Sequence, residues 1–422
     1  MSFVSRIFYF FAPYTDSRER SVGLFFKGLS EHGDRTKTRH RLDELLQRDI
    51  AVINLWTEYR YKGYRYLRKR ERRKLYTNLR LIADDFVKFH AENARKADEV
   101  TAHMNRIAPF AKPTDDRAVL IQALMDYFAP GRIYEYRESS SFGRLLRNPA
   151  REKLIGDCNQ IVTLYIYLYS QYFDVSELQV RQLPGHVALH YQGIDIEATN
   201  GTFANYDGKE GSALMPIEEI VSINLLDTTD SYLTTHEVAA EDFLQASRFA
   251  FILSHDRAIV TRNLEAAYGM LINALMKRHN YHQALKFATA SRDMELIAIV
   301  GHNGAAYEMQ QRNYASARRF AEHTPKRAEL VHASYRGEGA RHYEARRYHD
   351  AIRAFEKIGE TQLIKHSYEG LFFEEQAKLS KNLTTADLKN HTPTLKRMRN
   401  YAKKSGNSKL VDHVDNLLKQ SK

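Results

Sequence analysis

Cysteine is almost missing: Cys158 is the single one in 422 residues. An internal disulfide is thereby excluded, as are zinc or iron–sulfur centres built from the cysteines of one chain. A reducing, cytoplasmic setting is expected. Proline (9) and glycine (20) are scarce against usual shares of about 5% and 7%. A chain so poor in turn formers should be mostly helical, which argues against an all-β sandwich or barrel. No run approaches the ~18–20 uncharged apolar residues of a membrane span, so no integral membrane segment is expected. Hydrophobic residues at 43% and charged residues at 27% exclude global disorder. The length allows two to four domains at roughly 100–200 residues each.

What is present is unevenly charged. The net charge is +11, and residues 1–100 hold 22 Lys and Arg against 14 Asp and Glu. Nine of these bases fall between Arg60 and Lys74, with Glu71 the single acid. Arg65, Arg68, Lys69, Arg70, Arg72, Arg73 and Lys74, interleaved with tyrosines, could bind phosphate and stack on bases. A weak nucleic-acid or anionic-lipid contact through residues 60–74 is one reading. A solvated basic helix face, its tyrosines packed inward under arginine stems, is the other. The N-terminal MSFVSRIFYFFAPYT is apolar and aromatic, is interrupted by Arg6, and precedes no small-residue cleavage site. It is expected to dock on the first helices or touch a membrane surface, not to direct secretion.

Leu42, Leu45, Leu46, Ile50, Ile53 and Trp56, then Leu75, Leu79, Ile82, Phe86 and Phe89, recur at helical spacing. They predict a helical hairpin bent near Gly63, within a basic helical domain over 1–112. Thr114 or Asp115 should cap the next helix. The block 113–235 is mixed. An unusually apolar helix, IVTLYIYLYSQYF, follows Gly156-Asp157-Cys158, and LQVRQL, HVALHY and IDIEAT have strand character. From 236 to 375 the chain is helical and repetitive. Asn280-Tyr281-x-x-Ala284, Asn313-Tyr314-x-x-Ala317 and Arg347-Tyr348-x-x-Ala351 place their tyrosines 33 and 34 residues apart, a period that resembles the tetratricopeptide repeat. Such repeats stack to bury faces that none buries alone, and here they are expected to bind a protein or peptide partner or substrate. Residues 376–422 should be closing helices.

Cys158 is placed for chemistry by its position at the mouth of a helix, where unpaired N–H groups and the dipole favour an anion. Asp157 is positioned to cap that helix. A thiolate nucleophile needs a base, and the base an orienting acid. His186 opens HVALHY. If Gln192-Gly193 is a two-residue turn, His190 opposes Asp195 and Ala188 opposes Glu197. Period two then sets His186, His190, Asp195 and Glu197 on one face. Glu197 is the diagonal neighbour of His186, at roughly 7–8 Å between backbones. The expected triad is therefore Cys158, His186 and Glu197. Asp195, His190 and Asn159 stand behind it, with Asp195 the fallback acid. No metal and no cofactor are expected.

A cysteine opening a buried helix (GDCNQ), a histidine on a strand (PGHVAL) and an acid on the next strand (IEAT-Asn-Gly) together resemble the transglutaminase-like core. That family is a permuted relative of papain-type cysteine proteases and uses a Cys-His-Asp triad; Glu197 stands where Asp is usual. The resemblance covers about residues 116–210, and the repeats about 262–360. It implies an α+β fold: a buried helix against an antiparallel sheet, between an N-terminal helical domain and an α-solenoid of tetratricopeptide-like repeats. It also implies a cysteine peptidase or amidase working by acyl transfer. A catalytically inactive scaffold, acting through its repeats and basic arm, is the alternative.

Overall fold

The computed structural model describes residues 9, 11–109, 115–139, 141–227, 239–379 and 385–421. Most of the N-terminal aromatic segment, and the boundaries expected at 112/113 and 235/236, lie outside these. The chain forms two compact units, Met1–Met270 and Leu271–Lys422.

In the first unit, α1 (Ser17–Lys27) is capped by Asp16, whose carboxylate accepts the N–H groups of Arg18 and Glu19. Helix α2 (Arg35–Tyr61) buries Leu42, Leu46, Ile50 and Ile53. The chain leaves it at Lys62 and turns at Gly63, where φ is +75°. Helix α3 (Lys69–Asn93) buries Leu75, Leu79, Ile82 and Phe86, a stripe at three- and four-residue spacing. After α4 (Ala97–Ile107), Asp115 caps α5 (Asp116–Tyr127). Strands β1 (Tyr134–Tyr136) and β2 (Leu154–Gly156) pair in parallel, with the short α6 (Phe142–Leu145) between them in sequence. Helix α7 (Cys158–Tyr169) follows β2 directly.

Five antiparallel strands come next: β3 (Gln179–Leu183), β4 (His186–Tyr191), β5 (Ile194–Glu197), β6 (Thr202–Ala204) and β7 (Ala213–Pro216). Their order in the sheet is β6-β5-β4-β3-β7. Helices α8 (Glu219–Leu226), α9 (Ala240–Leu253) and α10 (Arg257–Lys277) complete the series. One hydrophobic core runs from Val22 to Val260, taking residues from the N-terminal helices, α7, the sheet and α9. The basic arm thus shares its core with the strand-bearing block.

The basic stretch is not a uniform anion-binding face. Arg72 is fully buried: its Nε and Nη2 donate to the Glu19 carboxylate at 2.7 and 3.0 Å, and Nη1 and Nη2 to the Leu67 and Pro13 carbonyls. Lys69 donates to the carbonyls of Tyr9 and Ala12. Tyr64 and Tyr76 are buried. Arg65, Arg68, Arg70, Arg73 and Lys74 are exposed. The correction at Arg72 has a physical cause: a buried carboxylate 53 positions away recruits the guanidinium inward.

The second unit is helical throughout its described residues: α11 (Tyr281–Ser291), α12 (Met294–Gln310), α13 (Tyr314–Ala321), α14 (Arg327–Glu344), α15 (Tyr348–Glu356), α16 (Thr361–Gln376), α17 (Thr385–Asn390), α18 (Thr392–Ser405) and α19 (Ser408–Gln420). Each helix from α11 to α15 packs on its successor, α16 on α18, and α18 on α19, the succession of a solenoid. The same corner recurs before α11, α13 and α15. His279, Arg312 and Arg346 take left-handed φ of 57°, 61° and 57°. The following N–H reaches back five residues, as from Asn280 to Leu275, Asn313 to Glu308 and Arg347 to His342. This double-bonded corner closes the orphan carbonyls of each preceding helix. Ala284, Ala317 and Ala351 are buried, which lets neighbouring helices approach closely. Among the described residues no helix is long and apolar enough to cross a membrane.

Candidate active site

The chain passes from β2 into α7 through Asp157. Its carboxylate accepts the N–H of Asn159 (2.9 Å) and of Gln160 (3.4 Å), while the Gln160 side chain accepts the Asp157 N–H at 2.9 Å. This reciprocal cap fixes the helix start and makes Cys158 its first residue. Ile161, Val162, Leu164, Ile166 and Leu168 are buried, so the helix lies in the interior and packs on β4. The buried Cys158 and the first residue of β4, His186, line one cavity of about 390 Å³.

His186 is aimed by the tight connection from β3. Gly185 takes φ +67°, and Leu183 pairs with His186 across the ladder. On the other side, Tyr191 pairs with Ile194, His190 with Asp195 and Leu189 with Ile196, the register that a two-residue Gln192-Gly193 turn dictates. His186 Nε2 lies 2.7 Å from Glu197 Oε2. Glu197 also accepts the hydroxyls of Thr199 (2.6 Å) and Tyr206 (2.9 Å). With Nε2 engaged by the carboxylate, Nδ1 is the ring nitrogen left for the sulfur. Hydrogen bonding to Cys158, then to Glu197, outweighs burial and raises the His186 pKa from 6.5 to about 10. For Glu197, burial acts upward, but the bonds from His186 and Thr199 win and hold the carboxyl below its usual range. A raised pKa favours the protonated ring, the form left once the neutral imidazole has taken a thiol proton and the form that can later return it.

The remaining residues separate into distinct groups. His190 Nδ1 lies 2.8 Å from Asp195, which also takes Arg181 Nε at 2.9 Å and the Tyr206 N–H at 2.7 Å. Burial pushes the Asp195 carboxyl up, yet His190 and Arg181 bring it below its ordinary value. His186 and His190 therefore belong to separate acid pairs, joined through Tyr206, whose N–H serves Asp195 and whose hydroxyl serves Glu197. Asn159 turns its amide N–H to Asp227 at 3.0 Å, while its Oδ1 lies 3.8 Å from the Cys158 sulfur. Tyr206 escapes a reading by strand periodicity, because it follows β6 in an Asn-Tyr-Asp-Gly turn. No family model matches the chain, and no curated protein matches it.

Proposed function

We propose that the chain is a cysteine hydrolase, a peptidase or amidase with a transglutaminase-like core. Its tetratricopeptide-like repeats hold a protein partner or substrate, and it acts in the cytoplasm. The observation carrying this reading is His186, held by Glu197 and sharing an open cavity with Cys158. His186 takes the thiol proton, and sulfur attacks the carbonyl carbon of an amide. The C–N bond breaks as the ring returns that proton to the leaving amine. Water, deprotonated by the ring, then splits the thioester, releasing the acid and restoring the thiol. The exposed arginines of residues 65–74 add a weak, salt-sensitive anion contact.

The test is alkylation of the single cysteine by neutral iodoacetamide at pH 7, followed by mass. His186→Ala should slow it at least tenfold, and Glu197→Gln by a smaller factor. Unchanged rates in both variants would overturn the reading. The scaffold alternative, binding through the repeats without catalysis, is favoured by one observation: Cys158 is only 8% exposed. It predicts slow alkylation indifferent to His186.

A further inference from the structure

The chain carries an excess of 11 positive charges, yet no lysine or arginine is among the described residues lining the Cys158 cavity. Five carboxylates line it instead: Glu138, Asp157, Glu219, Asp227 and Asp256. Three come from the two ends of α8 and the start of α10. Glu219 opens α8, Asp227 closes it, and Asp256 caps α10 through the Ile259 N–H at 3.1 Å. Helix α8 turns one face to the cavity, Glu219, Ser222, Ile223 and Leu226, at the spacing of successive turns. Burial first, and the nearby Asp227 second, raise the Asp157 carboxyl to about 7.

A second feature is independent of charge. Ser222 is 1% exposed, lines the cavity, and its hydroxyl has no hydrogen-bond partner among the described residues. The Gln182 Oε1, also lining it, is equally unpartnered. A buried polar atom left unpaired costs about 1–3 kcal/mol, and an occupant that reached either atom would relieve that cost. Ile223, Leu226, Ile259 and Val260 give the same cavity an apolar wall. An acceptor-rich, anionic end joined to an apolar wall fits an ammonium or guanidinium carried on a methylene stem.

We propose that the Cys158 cavity selects polypeptide substrates by a lysine or arginine side chain beside the scissile amide, with Asp227 and Asp256 as the specificity-determining carboxylates. The inference rests on the acyl-transfer reading above, and its test is chosen to fail separately. A cleft dominated by one sign of charge, here five carboxylates against the His186 ring, concentrates counter-ions and speeds their arrival by ~10–10³. Because Cys158 is the single cysteine, charged thiol reagents report on this cavity alone. Cationic 2-aminoethyl and anionic 2-sulfonatoethyl methanethiosulfonate would be compared, each rate normalised to its rate with glutathione.

The cationic reagent should react at least tenfold faster in wild type. Asp227→Asn/Asp256→Asn should cut that preference at least threefold, with its circular dichroism spectrum unchanged. Asp256→Asn alone, which retains a capping side chain, should give an intermediate value and guards against loss of fold in the pair. A normalised ratio near one in wild type would overturn the proposal, whatever the iodoacetamide experiment returns. In the turnover arm, fluorogenic peptide amides carrying lysine or norleucine beside the reporter would be compared. A kcat/KM at least tenfold higher for lysine supports the proposal, and equal values overturn it. If neither peptide is cleaved, the acyl-transfer reading fails, while the reagent ratio still decides the cavity's preference for cations.

Discussion

Replacing Arg72 by methionine separates a buried structural role from membership in a solvated anion patch. Arg72 and Glu19 are both 0% exposed, and the guanidinium also serves two backbone carbonyls and lies 4.0 Å from the Tyr59 ring. Removing it leaves the Glu19 carboxylate in the interior, with the Thr15 N–H (2.6 Å) and the Tyr76 hydroxyl (2.9 Å) as its described donors. Breaking such a pair from one side costs about 3–5 kcal/mol. At about 2–4 °C per kcal/mol for a unit of this size, Tm should fall by roughly 6–20 °C. Trp56, the single tryptophan, is buried with Arg72 5.5 Å from its ring, so its fluorescence during urea unfolding reports on the site directly. The double variant Arg72→Met/Glu19→Leu should recover most of the loss, since an apolar pair replaces a desolvated ionic one. A loss within about 0.5 kcal/mol for Arg72→Met, the size of a surface substitution, would refute the reasoning.

Three further predictions concern the site and two helical glycines. The stability difference between wild type and Glu197→Gln should be widest between about pH 4.5 and 6.5. The raised His186 pKa makes its contribution complete below 6.5 and erodes it as pH climbs toward 10; the depressed Glu197 pKa removes its contribution as pH falls below 4.5. Urea titrations from pH 4 to 10 check this, and a pH-independent difference would contradict it. At Gly339 an added Cβ would stand 2.4 Å from Phe355, so Gly339→Ala should destabilise by about 1–3 kcal/mol through overpacking. At Gly269 a Cβ meets nothing within 4 Å, so Gly269→Ala should stabilise by up to ~1 kcal/mol through helix propensity. Thermal melts of the two variants check the opposite signs.

The hairpin was readable because its turn is short. Gln192-Gly193 leaves one register, and that register pairs His190 with Asp195 and brings the longer glutamate within reach of His186. The cap at Asp157 was readable because it depends on neighbours one to three residues away. The inward turn of Arg72 was not, since its partner Glu19 lies 53 positions earlier and only the packing of α1 against the start of α3 unites them. Tyr206 and Ser222 were equally hidden: one is carried by a turn, the other by a helix whose cavity-facing side is set by tertiary placement. The Tyr-x-x-Ala period pointed to the repeats, but not to the left-handed arginines that turn two of their corners, because arginine has no special preference for positive φ.

The continuous core from Val22 to Val260 has a consequence for how this protein can be divided. A fragment starting at residue 113 would strip α7, α8 and α9 of Leu42, Ile50, Ile53 and their neighbours, baring greasy surface where the intact chain has interior. Such a fragment should aggregate instead of folding alone. Shuffling that moved the cysteine-bearing block between genes without its leading helices would deliver an insoluble product.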